Sequence, residues 1–232
     1  MRRPKLLDLF CGAGGAGMGY FRAGFEVVGV DIKLQSRYPF EFHQADALTF
    51  PLDGFAAIHA SPPCQDYSKN LRGLVRGGQY PRLVDAMRDR LEGSGVPWII
   101  ENVEGAPLPV QSDLFGAHGI ELCGTMFGLL VRRHRLFEAS FPIAAPRGCD
   151  HSVEIINPYD NKARQKFREI HGVDPRRGAW QAAMDVPWMS ATEATEAIPP
   201  AYTEYIGAAM LRSRSYYVPY APRVPMRPGE SG

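Results

Sequence analysis

Cys64 is the residue in this chain whose setting most plainly invites chemistry. It follows Phe55-Ala56-Ala57-Ile58-His59-Ala60-Ser61 and Pro62-Pro63, and it precedes Gln65. Small apolar residues halted by two prolines predict a buried strand that runs into a stiff loop. A thiol so placed lies at the carboxyl edge of a parallel sheet, where open α/β folds bind their ligands. There it is a candidate nucleophile, although a free cysteine also serves as a small buried hydrophobe.

A second group could hold a nucleotide. Lys5 to Phe10 is an apolar run broken once by Asp8, and Cys11-Gly12-Ala13-Gly14-Gly15-Ala16-Gly17 follows it. Strand, glycine-rich turn and a helix-compatible stretch ending before Gly24 would let backbone approach a ligand at a helix N-terminus. The next strand, Glu26 to Val30, ends in Asp31, whose carboxylate can accept hydrogen bonds from both hydroxyls of a ribose. Gly12, Gly14 and Gly17 with Asp31 fit a dinucleotide fingerprint. The same turn and acid suit S-adenosylmethionine, so a nicotinamide enzyme and a methyltransferase both remain open here. Asp46 is a further acid, suited to an adenine amino group or to capping a helix.

The elements around these residues belong to an ordinary globular chain. It has 232 residues, 45% of them apolar, and a mean hydropathy of −0.22. That length supports one core-bearing domain with a small appendage. No apolar stretch is long enough to cross a bilayer, and Asp8 breaks the first apolar run too early for a signal peptide. Cys11, Cys64, Cys123 and Cys149 are widely spaced, which predicts reduced thiols in a cytoplasm and neither a disulfide framework nor a zinc finger. Cys149 and His151 offer two metal ligands without a second pair, so no metal is expected. The net charge is +1, yet Lys162, Arg164, Lys166, Arg168, Arg176 and Arg177 crowd one stretch. Such a cluster suits a polyanion as well as a solvated face. Leu83, Val84 and Met87 mark the buried side of a helix over 81–91, and Met126, Phe127 and Trp180 are core candidates. Arg133 and Arg135 alternate on 129–137, so in a strand they share a face.

In chain order the motifs are Asp8-Leu9-Phe10-Cys11-Gly12-Ala13-Gly14-Gly15, Pro62-Pro63-Cys64-Gln65, Glu101-Asn102-Val103, Arg133-His134-Arg135-Leu136-Phe137, and Ile198-Pro199-Pro200-Ala201-Tyr202 with Ile206-Gly207. Together they resemble the ordered motifs of DNA (cytosine-5) methyltransferases over most of 5–137 and again near 180–211. The resemblance implies an α/β, Rossmann-like S-adenosylmethionine-dependent methyltransferase fold. It implies a discontinuous catalytic and cofactor domain (1–138 with 191–212), a short target-recognition region (139–190) and a flexible tail (213–232). S-adenosylmethionine would lie against Phe10, Cys11, Gly12, Ala13, Gly14, Gly15, Asp31, Ile32, Asp46, Ala47 and Pro62. Cys64 would add to carbon 6 of a cytosine flipped out of duplex DNA. Glu101 would support ring nitrogen 3, Arg133 and Arg135 would bind the carbonyl oxygen and orient Glu101, and Asn102 would fix the loop. Gln65, Ser68, Arg72 and Arg76, on a mobile loop after the nucleophile, would touch DNA.

Two departures stand out. Val131 replaces the family's glutamine and Ala208 its asparagine. A catalytically weak DNA-binding homologue is therefore an alternative, and an RNA substrate is another, because the same ring chemistry applies. A monomer, with a cognate restriction endonuclease as partner, is the expected organisation.

Overall fold

The computed structural model describes residues 2–63, 83–109, 118–153 and 178–214, with 155, 156, 162, 165, 166, 168, 169 and 172 between the last two segments. Among the described residues, seven strands form one sheet: β1 (Lys5–Leu9), β2 (Glu26–Asp31), β3 (Glu41–Gln44), β4 (Ala57–Ala60), β5 (Trp98–Asn102), β6 (His118–Leu122) and β7 (Arg135–Ala139). Their order is β3-β2-β1-β4-β5-β7-β6. The first five run parallel, and β7 is antiparallel to both its neighbours. This is the mostly parallel, Rossmann-like α/β fold that the resemblance implies.

Alternation along each strand builds two cores. Leu6, Val27, Ala57, Ile99 and Phe137 face helices α1 (Gly15–Ala23) and α5 (Pro200–Arg214). Leu7, Val30, Ile58, Trp98 and Ile100 face α2 (Val84–Glu92) through Val84, Met87 and Leu91. Central strands covered on both sides must be apolar nearly throughout, which is why β1, β4 and β5 read as continuous runs. A third cluster joins Ala13 and Val131 to Trp180 and Met184 of α3 (Ala179–Met184), to Val186 and Met189, and to Ala194 of α4 (Ala191–Glu196). Ser190 and Glu193 cap α4 reciprocally.

Helices α1 and α5 meet through glycines. A Cβ on Gly19 would lie 2.1 Å from both the Pro200 carbonyl and Thr203 Oγ1, and one on Gly207 would lie 2.7 Å from Ala23 Cβ. Thr203 Oγ1 donates to the Ala16 carbonyl at 2.8 Å, so the last helix is bonded to the first. Arg88 anchors α2 to β7 with two 2.8 Å hydrogen bonds to Glu138.

Three boundaries differ from the sequence reading. Helix α2 begins at Val84, and α5 continues through Arg214, past the expected limit of 212. Strand β7 starts at Arg135, not near Leu129. The cause is the lack of ladder partners: β6 ends at Leu122 opposite Arg135, and β5 ends at Asn102 opposite Leu136. Arg133 therefore sits in irregular backbone ahead of the strand. Among the described residues no helix is long and apolar enough to cross a membrane.

Candidate active site

The carboxyl ends of β1, β2, β4 and β5 share one edge of the sheet. Past β1 the chain turns sharply, with Phe10, Gly12 and Gly14 at φ of 58°, 49° and 86°. Glycine adopts that region freely, whereas Phe10 is held there against its preference. The turn is closed by Cys11 N donating to the Val30 carbonyl and Gly14 N donating to the Cys11 carbonyl, each at 3.1 Å. Asp31 Oδ2 accepts from Gly12 N at 3.1 Å, and its Oδ1 accepts from Lys33 N at 2.9 Å. The acid at the tip of β2 is thus tied to the glycine turn, with Ile32 exposed beside it. A Cβ added to Gly12 would meet nothing within 4 Å, so this turn has an open side that a ligand can approach.

No helix follows Asp46: its Oδ1 accepts from Leu48 N at 2.9 Å and closes a turn after β3, while Ala47 is buried in the second core.

Glu101 is buried at the tip of β5, one position before Asn102. Arg135 Nε lies 3.1 Å from Glu101 Oε1. Burial pushes the Glu101 carboxyl above the ordinary range, while the Arg135 charge, the Ser61 hydroxyl and the Arg133 charge pull it partly back. Asn102 Nδ2 donates to the Pro62 carbonyl at 3.0 Å and its Oδ1 accepts from Val103 N at 2.9 Å. These bonds lock the tip of β5 to the Pro62-Pro63 segment, as expected of Asn102. Arg133 is also buried, and its Nη2 donates to the Thr195 carbonyl at 2.8 Å. Its own carbonyl accepts from Tyr202 Oη at 2.6 Å. Of the two arginines, Arg135 pairs with the Glu101 carboxyl, whereas Arg133 reaches back to Thr195 in the last turn of α4.

Behind Glu101 runs a buried polar chain that sequence reasoning missed. Tyr20 Oη lies 2.9 Å from His59 Nδ1, and His59 Nε2 lies 2.8 Å from Ser61 Oγ. Burial depresses His59 to about 3, so its ring is neutral and carries one N–H. With Ser61 donating to Glu101, that N–H must sit on Nε2 and Tyr20 must donate to Nδ1. Beside His59 on β1 lies Asp8, fully buried, with Tyr38 Oη donating to its Oδ2 at 3.1 Å. Burial raises Asp8 to about 8, against the lowering effect of Tyr38. The signals were present: an acid interrupts the apolar first strand, and a histidine interrupts Ala57-Ile58-Ala60.

Cys64, Gln65, Ser68, Arg72 and Arg76 lie outside the described residues, as do Arg164, Arg176 and Arg177. Lys162, Lys166 and Arg168 are exposed. Cys149 and His151, two ligands without a partner pair in the sequence, lie beside Cys123 and His134 in the fold.

No family model and no curated protein matches the sequence. Among solved structures, the chain is similar to the S. pombe Dnmt2 methyltransferase, at 12% identity and a TM-score of 0.54, covering 91% of this chain and 99% of that one. It is also similar to a candidate DNA modification methyltransferase encoded within an E. coli prophage, at 20% identity and a TM-score of 0.44, covering 63% and 52%. A mutant of Spodoptera frugiperda DNMT2 aligns at 20% identity and a TM-score of 0.41, covering 68% and 56%. The chain spans about half the length of the latter two and nearly all of the first. The likeness to the S. pombe protein agrees with the fold derived above.

Proposed function

We propose that this methyltransferase fold carries out transfer of a methyl group to carbon 5 of cytosine in DNA. The observation that carries the reading is Glu101: a buried carboxyl with a raised pKa, clamped by Arg135, on the strand tip that Asn102 bonds to the segment leading into Cys64. S-adenosylmethionine fits the open glycine turn, with Phe10 to Gly15 as its bed and Asp31 as the ribose acid. When bound, it supplies an electrophilic methyl group.

The chain's own residues supply the rest. The Cys64 thiolate adds to carbon 6 of the ring, forming a C–S bond and moving the displaced electron pair toward carbon 5 and nitrogen 3. Protonated Glu101 hydrogen-bonds nitrogen 3 and stabilises that charge. Arg135 holds Glu101 in position. After carbon 5 is methylated, its proton passes to a water molecule, the C–H electron pair re-forms the 5,6 double bond, and the C–S bond breaks to release the Cys64 thiolate. Addition at carbon 6 requires an unstacked base, so the cytosine must be flipped out of the duplex.

The test is covalent trapping. A fluorine at carbon 5 cannot leave as the proton does, so duplexes containing 5-fluorocytosine should become attached to the wild-type protein once methyl transfer has occurred. Cys64→Ser should give no adduct. Failure to trap any member of a broad sequence pool, with S-adenosylmethionine binding demonstrated by calorimetry, overturns the proposal.

A further inference from the structure

We infer that Cys123, His134, Cys149 and His151 form a zinc site at the β6–β7 end of the sheet edge. Their ligand atoms all lie within 4.8 Å of one another. Cys123 Sγ is 3.8 Å from His151 Nε2, and the Nε2 atoms of His134 and His151 are 3.1 Å apart. Tetrahedral zinc with Zn–S of about 2.3 Å and Zn–N of about 2.0 Å requires ligand separations of about 3.3 to 3.8 Å. Two thiols and two imidazoles are the soft donor set that selects zinc over magnesium or calcium.

The surroundings support the assignment independently. His134 Nδ1 lies 2.6 Å from Glu121 Oε1, and Glu104 lies 3.5 Å away on the same side. A carboxylate holding the Nδ1 proton directs the Nε2 lone pair into the cluster, which is how metal-binding histidines are commonly oriented. Thr125 Oγ1 is 3.4 Å from Cys123 Sγ and accepts from Asp150 N at 3.2 Å. Arg147 Nε donates to the Met126 carbonyl at 2.6 Å. The backbone around Cys149 and His151 is therefore docked against the segment after Cys123 by the Asp150–Thr125 and Arg147–Met126 bonds, neither of which uses a ligand atom.

In sequence the four residues are scattered, with ten residues between Cys123 and His134 and fourteen between His134 and Cys149. The fold brings them together because β6 ends at Leu122 and β7 begins at Arg135, on the same sheet edge. His134 stands between the two arginines of the proposed active site. A metal here would staple the chain entering the 139–190 region to the backbone that aims Arg133 and Arg135. Binding releases both thiol protons as Zn²⁺ enters, and the site stands whether or not the catalytic proposal holds.

The experiment uses the full, untagged chain purified from zinc-containing medium and dialysed against metal-free buffer. Elemental mass spectrometry should find zinc at one equivalent per chain, and Co²⁺ replacement should give thiolate charge-transfer and tetrahedral d–d absorption bands. Cys149→Ser and His151→Ala should lose the metal, while Cys11→Ser should keep it. The wild-type cobalt spectrum tests the site even where a variant fails to fold. Substoichiometric zinc in the wild type, a cobalt spectrum without thiolate bands, or full zinc retention by Cys149→Ser would each overturn the inference.

Discussion

At the scale of single residues, Glu101 carries the sharpest expectations. Glu101→Gln keeps the shape of the side chain but gives up its titratable proton. Methyl transfer in a single-turnover assay should fall by about 10² to 10⁴, with S-adenosylmethionine affinity within a few-fold of wild type. Ser61→Ala removes a hydroxyl that lowers the Glu101 pKa. The proton on Glu101 should then persist to higher pH, so the alkaline limb of the rate profile should move upward. A profile that stays in place would show that Ser61 does not act through Glu101. Glu101 was legible in the sequence because Trp98-Ile99-Ile100 predicts a buried strand ending at an acid. Arg133 misled, because arginines spaced by two imitate a strand where no neighbouring strand remains to pair. Its bond to the Thr195 carbonyl joins positions 62 residues apart, which no local pattern encodes.

At the scale of elements, the α1–α5 packing makes the tightest demand. Gly19 has no room for a methyl group, and the atoms it would strike at 2.1 Å include a backbone carbonyl that cannot rotate away. Gly19→Ala should lower the unfolding free energy by about 1 to 3 kcal/mol, read as a shift in denaturant midpoint at constant slope. The strands β1, β2, β4 and β5 were readable because each is a short apolar run closed by a turn signal. Helix α3 was not, since six residues are too few for helical periodicity and its end at Asp185 uses a left-handed conformation (φ of 60°) that composition does not announce. The resemblance implied only that this late segment returns to the catalytic and cofactor domain; its packing on α1 was not legible, because nothing local in Pro200–Arg214 names its partner.

At the scale of the whole molecule, two buried groups set opposing pH dependences. Asp8 has its folded pKa raised from 3.8 to about 8, so the native state binds the extra proton between those values and stability falls as pH rises through the window. His59 is lowered from 6.5 to about 3, so stability rises with pH between about 3 and 6.5. The two slopes oppose each other below pH 6.5, and Glu101, its folded pKa also raised, adds to the falling slope of Asp8. Unfolding free energy should therefore decline between about pH 6.5 and 8, by at most about 1.4 kcal/mol per pH unit from Asp8. Asp8→Asn should make that decline shallower in urea titrations at several pH values. The uneven distribution of charge has a separate consequence. Neutralising Lys162, Arg164, Lys166, Arg168, Arg176 and Arg177 should weaken DNA binding and reduce the logarithmic salt slope by up to about 0.9 for each phosphate that no longer meets a cation. An unchanged slope would place the polyanion-binding surface elsewhere.

The bond between Thr203 and Ala16 spans 187 residues. A ribosome making this chain must pass Thr203 before the first helix finds its second cover, and until then the side of α1 that faces α5 is open to neighbouring nascent chains. Premature termination anywhere before Pro200 should accordingly yield a sticky product that chaperones retain, however complete its sheet.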